Sequence, residues 1–420
     1  MKRGFAAADS GDVLIKNIGV LATPTGTSAA SGSAQGGCVR VMKDAYVLSR
    51  SGVIVGVGTG EPPEVPDDCL VVDAGGRLVT PGLVDAHTHL VFGGWRQNEL
   101  DQKLKGATYL EILEAGGGIL STVRATRAAT AEELTERASA VLDELFSLGT
   151  TTCEAKSGYG LERETELKQL EVMRRLNARG PVELVSTFMG AHALPEEYRG
   201  DRDEYVKLLC EDLIPEAAEK GLAEFCDVFC EQGVFTAEES VRILEAAKAC
   251  GLGCKIHTDE ICDIGGTEAA EKVRAVSAEH LIKADAYGIE RLAGGGVIAC
   301  LLPCTSFYLG AEYANARGMI EAGVPVAMAT DFNPGSCPSD NMQLVINVGC
   351  LKYRMTPEEV LTAVTLNGAA AIGRADRIGS VEPGKQADLV IWDAPDLPFI
   401  CYRMGSDLVS KVVKKGVVYE

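Results

Sequence analysis

Leu83-Val84-Asp85-Ala86-His87-Thr88-His89 is a short apolar run that passes directly into two histidines one residue apart. Side chains of an extended chain alternate between faces, so His87 and His89 point to the same side. Two imidazoles held that close suit a borderline ion such as Zn²⁺ or Fe²⁺. A lone HxH pair also arises by chance, so its surroundings decide its weight. Further short apolar runs follow at 151–154, 183–189, 226–230, 254–256, 275–277, 297–302 and 325–329. Nearly continuous apolarity over so few residues is expected of strands covered on both faces. Between them lie helix-start signals. Thr130 with Glu133, Thr236 with Glu239 and Thr356 with Glu359 each have capping-box spacing, the last with Pro357 at the first helical position. After the first, Leu134, Ala138, Val141, Leu142 and Leu145 trace a helical stripe that Gly149 ends. Eight strands alternating with helices predict an α/β fold closed as a (β/α)8 TIM barrel, with a doubly wound open sheet as the alternative.

The ends of the chain read differently. Val13-Leu14-Ile15, Ala45-Tyr46-Val47-Leu48 and Val53-Ile54-Val55-Gly56-Val57 are β-rich, as are Ala387-Asp388-Leu389-Val390-Ile391-Trp392 and residues 409–418. They predict a small composite β-sandwich domain built from 1–80 and 375–420 around a catalytic barrel at 81–374. Residues 25–37, rich in Ser, Gly, Ala and Thr, read as a loose loop. Gly56-x-Gly58-x-Gly60 runs into Glu61-Pro62-Pro63 instead of a helix, which excludes a dinucleotide fingerprint.

Barrels of this kind carry their catalytic groups just past the C-terminal ends of the strands. His192 follows the third predicted strand, His257 the fifth and His280 the sixth, while Asp331 ends the eighth. The chain has five histidines, and all five fall at this rim. Structural hydrogen bonding explains any one of them, not the set. His87, His89 and His257 supply three nitrogens and Asp331 a carboxylate, leaving room for one water. An ion so held lowers the pKa of bound water toward ~7 and polarises a carbonyl. Asp331 and His280 are placed to accept or relay a proton, and Glu260, three residues past His257, to act as general acid/base. Asp259 reads as a solvated loop residue.

Composition narrows the partners. Among 420 residues, 40 Lys and Arg against 60 Asp and Glu leave a charge of −20. That balance excludes nucleic acid and anionic membranes, which need clustered cations, and a small anionic substrate then requires a local one. Fourteen cysteines include Cys226/Cys230, Cys250/Cys254 and Cys300/Cys304 but no CxxC, as expected of reduced, mostly buried thiols. No apolar run is long enough to span a membrane, and Met1-Lys2-Arg3-Gly4-Phe5-Ala6 starts no apolar leader. A cytoplasmic homodimer is the expectation.

Pro81-Gly82-Leu83-Val84-Asp85-Ala86-His87-Thr88-His89 resembles the opening strand of the amidohydrolase superfamily, and Lys385-Gln386-Ala387-Asp388-Leu389-Val390 its closing segment. Narrower motifs are Phe92-Gly93-Gly94-Trp95-Arg96, Lys156-Ser157-Gly158-Tyr159-Gly160, Gly190-Ala191-His192-Ala193, His257-Thr258-Asp259-Glu260 and Asp331-Phe332-Asn333-Pro334-Gly335-Ser336. Together they resemble its branch of imidazolone-ring hydrolases. The resemblance implies one divalent or trivalent transition-metal ion per subunit, Zn or Fe, on His87, His89, His257 and Asp331. It implies hydrolysis of the cyclic amide C–N bond of 4-imidazolone-5-propanoate to N-formimidoyl-L-glutamate in histidine degradation. Its substrate contacts fall on Arg96, Tyr159, His192, Glu260, Asn333, Gly335 and Ser336. The Arg96 fork suits a propionate carboxylate. A nucleobase deaminase using the same ion is the alternative, and Arg96 with the Asn-Pro-Gly-Ser turn argues for the acid. Relatives with two metals use a carbamylated lysine at the end of strand four, where this chain has Glu231, so one ion is expected. Lys156 and Cys304 lie near the rim without an assigned role.

Overall fold

The computed structural model describes residues 7–8, 12–106 and 116–420. The opening residues 1–6, read above as starting no leader, lie outside them. All eight apolar runs are strands: Leu83–Asp85, Thr150–Lys156, Glu183–Ala191, Phe225–Cys230, Gly253–Thr258, Ser277–His280, Ile298–Leu301 and Val326–Met328. Each pairs in parallel with the next along the chain. The first and last meet through a parallel bridge between Thr88 and Phe332. There the Asp331 N–H donates to the His87 carbonyl at 3.0 Å and the His89 N–H to the Phe332 carbonyl at 2.8 Å. This seam makes the sheet a barrel and rules out the doubly wound alternative. It also sets the HxH pair beside Asp331.

The sixth strand lies two or three residues later than its apolar content predicts, at Ser277–His280 against 275–277. Glu279 extends it because its carboxylate finds two ammonium groups inside the barrel, Lys156 at 3.1 Å and Lys255 at 3.2 Å. All three capping boxes form, with Thr130, Thr236 and Thr356 starting helices Ala131–Ser147, Ala237–Ala249 and Pro357–Ala363.

The two ends of the chain share one nine-stranded mixed sheet. Strand Leu389–Trp392 joins them, pairing antiparallel with Leu78–Pro81 on one side and Val409–Lys414 on the other. Its continuous apolar run serves two cores. Leu389 and Ile391 pack with Val13, Ile15 and Val47 inside the sheet, whereas Val390 and Trp392 pack into the cluster that surrounds the barrel. Residues 25–37 are not the loose loop their composition predicts. Gln35 is buried and doubly paired to Val326 at the start of the eighth strand: its Nε2 donates to the Val326 carbonyl, and its Oε1 accepts from the Val326 N–H, both at 3.0 Å. Asn367 grips Ala30 in the same manner. Small residues let this segment lie close against the base of the barrel, and small-residue composition alone looks like a linker. All fourteen cysteines are free thiols. Among the described residues no helix is long and apolar enough to cross a membrane.

Candidate active site

The barrel brings the predicted donors together. His257 Nε2 lies 3.3 Å from His89 Nε2, and Asp331 Oδ1 lies 3.4 Å from His87 Nε2 and 3.6 Å from His89 Nε2. All four side chains are buried. The other Asp331 oxygen accepts from the Thr305 hydroxyl at 2.7 Å, which leaves Oδ1 facing the imidazoles. Burial alone would raise Asp331, but His87, His280 and the Thr305 hydroxyl hold it at about 2. Burial, with the neighbouring imidazoles, keeps His89 and His257 far below the ordinary histidine value and therefore neutral. His87 differs. Burial opposes its charge, yet Glu279 raises it to about 9, so binding a cation there displaces a proton. Nitrogen lone pairs and a carboxylate oxygen converging in a buried space form a set that a cation satisfies. His87, His89 and Asp331 form one such donor group, and His87, His257 and His280 another. An N₃O set of this kind accepts Zn²⁺ or iron.

Three of the site residues turn the chain sharply at strand ends with left-handed backbone: Asp259 (φ 55), His280 (φ 71) and Asp331 (φ 57). Such conformations are uncommon outside glycine and cluster at functional sites. Asp259 is not solvated as expected. It is fully buried, accepts from the Thr258 hydroxyl at 2.7 Å, and burial pushes its carboxyl up to about 7. Glu260 Oε2 lies 3.7 Å from His280 Nε2, and burial raises its pKa. Glu231, at the place of the lysine of two-metal relatives, accepts from the Ile261 N–H at 2.9 Å and the Cys262 N–H at 3.1 Å. It thereby steadies the loop that carries Glu260.

Tyr159, His192 and the turn after Asp331 adjoin the donor set, and Arg96 adjoins that turn. The half-buried His192 stacks on His89 with centroids 4.8 Å apart and planes 19° from parallel, and burial pushes it down to about 4. The Tyr159 ring lies 5.3 Å from it. Arg96 is held in a fork by Glu99, its Nε at 3.0 Å and Nη2 at 2.9 Å from the carboxylate. Its Nη1 faces Gly335, where a Cβ would stand 2.2 Å away. Asn333 works inside its own turn: its amide oxygen accepts from the Gly335 and Ser336 N–H groups and its nitrogen donates to the Asp331 carbonyl. Ser336 Oγ accepts from the same amide nitrogen at 2.9 Å. Lys103, absent from the sequence reading, donates to the Gly335 carbonyl at 2.8 Å. Burial holds the Cys304 thiol up at about 12, and no cysteine joins a donor group among the described residues.

Beneath the histidines lies a layer that the sequence reading missed. Lys156 Nζ is 2.7 Å from Asp227 Oδ2, 2.9 Å from Glu154 Oε2 and 3.1 Å from Glu279 Oε2. Lys255 Nζ is 2.9 Å from Glu154 Oε1 and 3.2 Å from Glu279 Oε1. Glu279 Oε2 reaches to 2.8 Å from His87 Nδ1, and Asp227 Oδ2 to 3.1 Å from His257 Nδ1. The available signal was the presence of charges within strands expected to be covered on both faces, since such groups are buried only when paired.

Residues 78–419 match the Amidohydrolase family model. The chain is 51% identical over 409 residues to the imidazolonepropionase of Alkaliphilus metalliredigens, covering 96% of this chain and 97% of that one. It is 50% identical over 407 residues to the imidazolonepropionase of Bacillus velezensis, covering 96% of each. E. coli guanine deaminase shares the fold, with a TM-score of 0.73 at 19% identity over 98% of this chain and 100% of that one. A mutant atrazine chlorohydrolase from Arthrobacter aurescens, complexed with zinc and atraton, does so at 0.70 and 19%, over 97% and 94%. Half of all positions shared over nearly the full length, on a barrel with its histidines gathered at one rim, leave no other assignment: the chain belongs to the amidohydrolase family, among the imidazolonepropionases.

Proposed function

We infer that this protein hydrolyses imidazolonepropanoate, opening the ring at the cyclic amide C–N bond to give N-formimidoyl-L-glutamate in histidine degradation. The observation that carries this is the 51% identity over 96% of the chain to an imidazolonepropionase. His87, His89, His257 and Asp331 would hold one ion, Zn or Fe, which when bound supplies an activated water near neutral pH and polarises the ring carbonyl.

The chain's own residues do the rest. In a protein of charge −20, Arg96 and Lys103 form a local cationic edge for the propionate. Glu99 occupies Nε and Nη2 of Arg96, so Nη1 is the edge left for a carboxylate oxygen. Tyr159 and the neutral His192 wall the ring on the side of His89 and keep water off that face. Glu260, raised by burial, holds a proton to give to the departing ring nitrogen, and His280 Nε2, 3.7 Å away, relays protons to it. Asn333 places Gly335 and Ser336 against the substrate through its turn.

An ultraviolet assay with fresh imidazolonepropanoate, run with and without chelator, tests the assignment. Loss of the substrate band that chelator abolishes and added Zn²⁺ restores is expected. Rapid deamination of nucleobases with no imidazolone turnover would overturn it.

A further inference from the structure

Five fully buried charged side chains sit below the histidines and take no part in the chemistry above: Glu154, Lys156, Asp227, Lys255 and Glu279. We propose that Lys156 is a positioning residue for the metal site, pinning Asp227 and Glu279 so that each presents an oxygen to Nδ1 of a ligand histidine. This rests on the reading of His87 and His257 as metal ligands.

The geometry is specific to Lys156. An ammonium offers three N–H groups, and three carboxylates surround this one within 2.7–3.1 Å. The oxygens it approaches on Asp227 and Glu279 are the same atoms that face His257 Nδ1 and His87 Nδ1. Glu279 Oε2 also lies 3.3 Å from His257 Nδ1, so this one oxygen faces both ligand imidazoles as well as the ammonium. Lys255 does not substitute, because it approaches the opposite oxygens of Glu154 and Glu279 and has no contact with Asp227. All five side chains are 0% exposed, so bulk solvent does not screen the charges that Lys156 balances. Without the ammonium, Asp227 and Glu279 would repel across the gap, and the imidazoles they face would lose their orientation. A histidine nitrogen that points at a carboxylate presents its other nitrogen to the metal, and such supporting groups typically contribute 10–100-fold in metal affinity.

The backbone contribution separates from this effect. The Lys156 N–H donates to the Thr88 carbonyl at 2.9 Å, between the two rim histidines, and a side-chain substitution leaves that bond in place.

The test is Zn²⁺ affinity, read by competition with a chromophoric chelator, for wild type, Lys156→Met and Asp227→Asn. The second variant leaves two carboxylates facing two ammoniums, so it keeps a balanced interior even if the first does not fold. Expected are folded variants, by circular dichroism, whose Zn²⁺ dissociation constant rises roughly 10–100-fold. Wild-type affinity in a folded Lys156→Met, or in Asp227→Asn, overturns the proposal. Failure of wild type itself to bind Zn²⁺ or iron would instead remove the metal reading on which the proposal stands.

Discussion

Gly335→Ala probes how the substrate carboxylate is gripped. The new Cβ would stand 2.2 Å from Arg96 Nη1 and 2.7 Å from Cζ, against an ordinary contact of about 3.5 Å. Neither side yields easily. Glu99 holds Arg96 at 2.9–3.1 Å and itself accepts from the Gly118 N–H at 2.8 Å. The turn is tied by Asn333 at 2.8 Å to the Gly335 N–H and by Lys103 at 2.8 Å to its carbonyl. The guanidinium therefore moves by about 1 Å, a displacement that costs roughly 10²-fold in a positioned reaction. That is about 2.7 kcal/mol in the kcat/KM barrier. The backbone of Gly335 is not left-handed, so the added methyl strains no dihedral and its cost falls on the contact with Arg96. The assay compares kcat/KM for imidazolonepropanoate with that for an imidazolone lacking the carboxylate. The loss should fall on the first substrate, mainly through KM, and spare the second. An equal loss on both, or less than about a threefold effect, refutes the argument that Arg96 binds the propionate.

Glu260→Gln should lower kcat by roughly 10²–10⁴-fold while metal content, measured by atomic emission, stays near wild type. Loss of the metal would make Glu260 a ligand, and unchanged turnover would take it out of the mechanism. Asp340 lies away from the donor set, and burial pushes its carboxyl from 3.8 up to about 6. Because the folded state holds this proton more tightly, its stabilisation is complete below pH 3.8 and lost as pH rises through about 6. Asp340→Asn should then flatten the fall of melting temperature between those pH values. An unchanged slope there would show that this carboxyl does not titrate with unfolding.

Much of the fold was legible because it is written in local terms. A threonine hydroxyl reaches forward only three residues to cap a helix, so all three capping boxes were readable from spacing. Alternation along a strand put His87 and His89 on one face, and counting strands put every histidine at one rim. The 25–37 segment failed the same kind of reading. Its composition is that of a linker, and what orders it is the pairing of Gln35 with Val326, 291 residues away. Asp259 failed for a related reason, since its place after a strand end reads as loop and its burial against the Thr258 hydroxyl does not show in the spacing.

The amino-acid sequence by itself determined the alternation of eight strands with helices, the rim histidines and the charge that requires a local cation for an acidic substrate. Only the tertiary structure decided which edge of Arg96 is free, how the seam at Thr88 and Phe332 brings His87 to Asp331, and that Lys156 lies among three carboxylates. Those outcomes depend on partners such as Lys156 and Asp227, 71 residues apart, whose charges are tolerable inside a barrel only once closure brings them within reach. Periodicity shows which face a side chain takes, whereas the identity of what it meets there follows from closure.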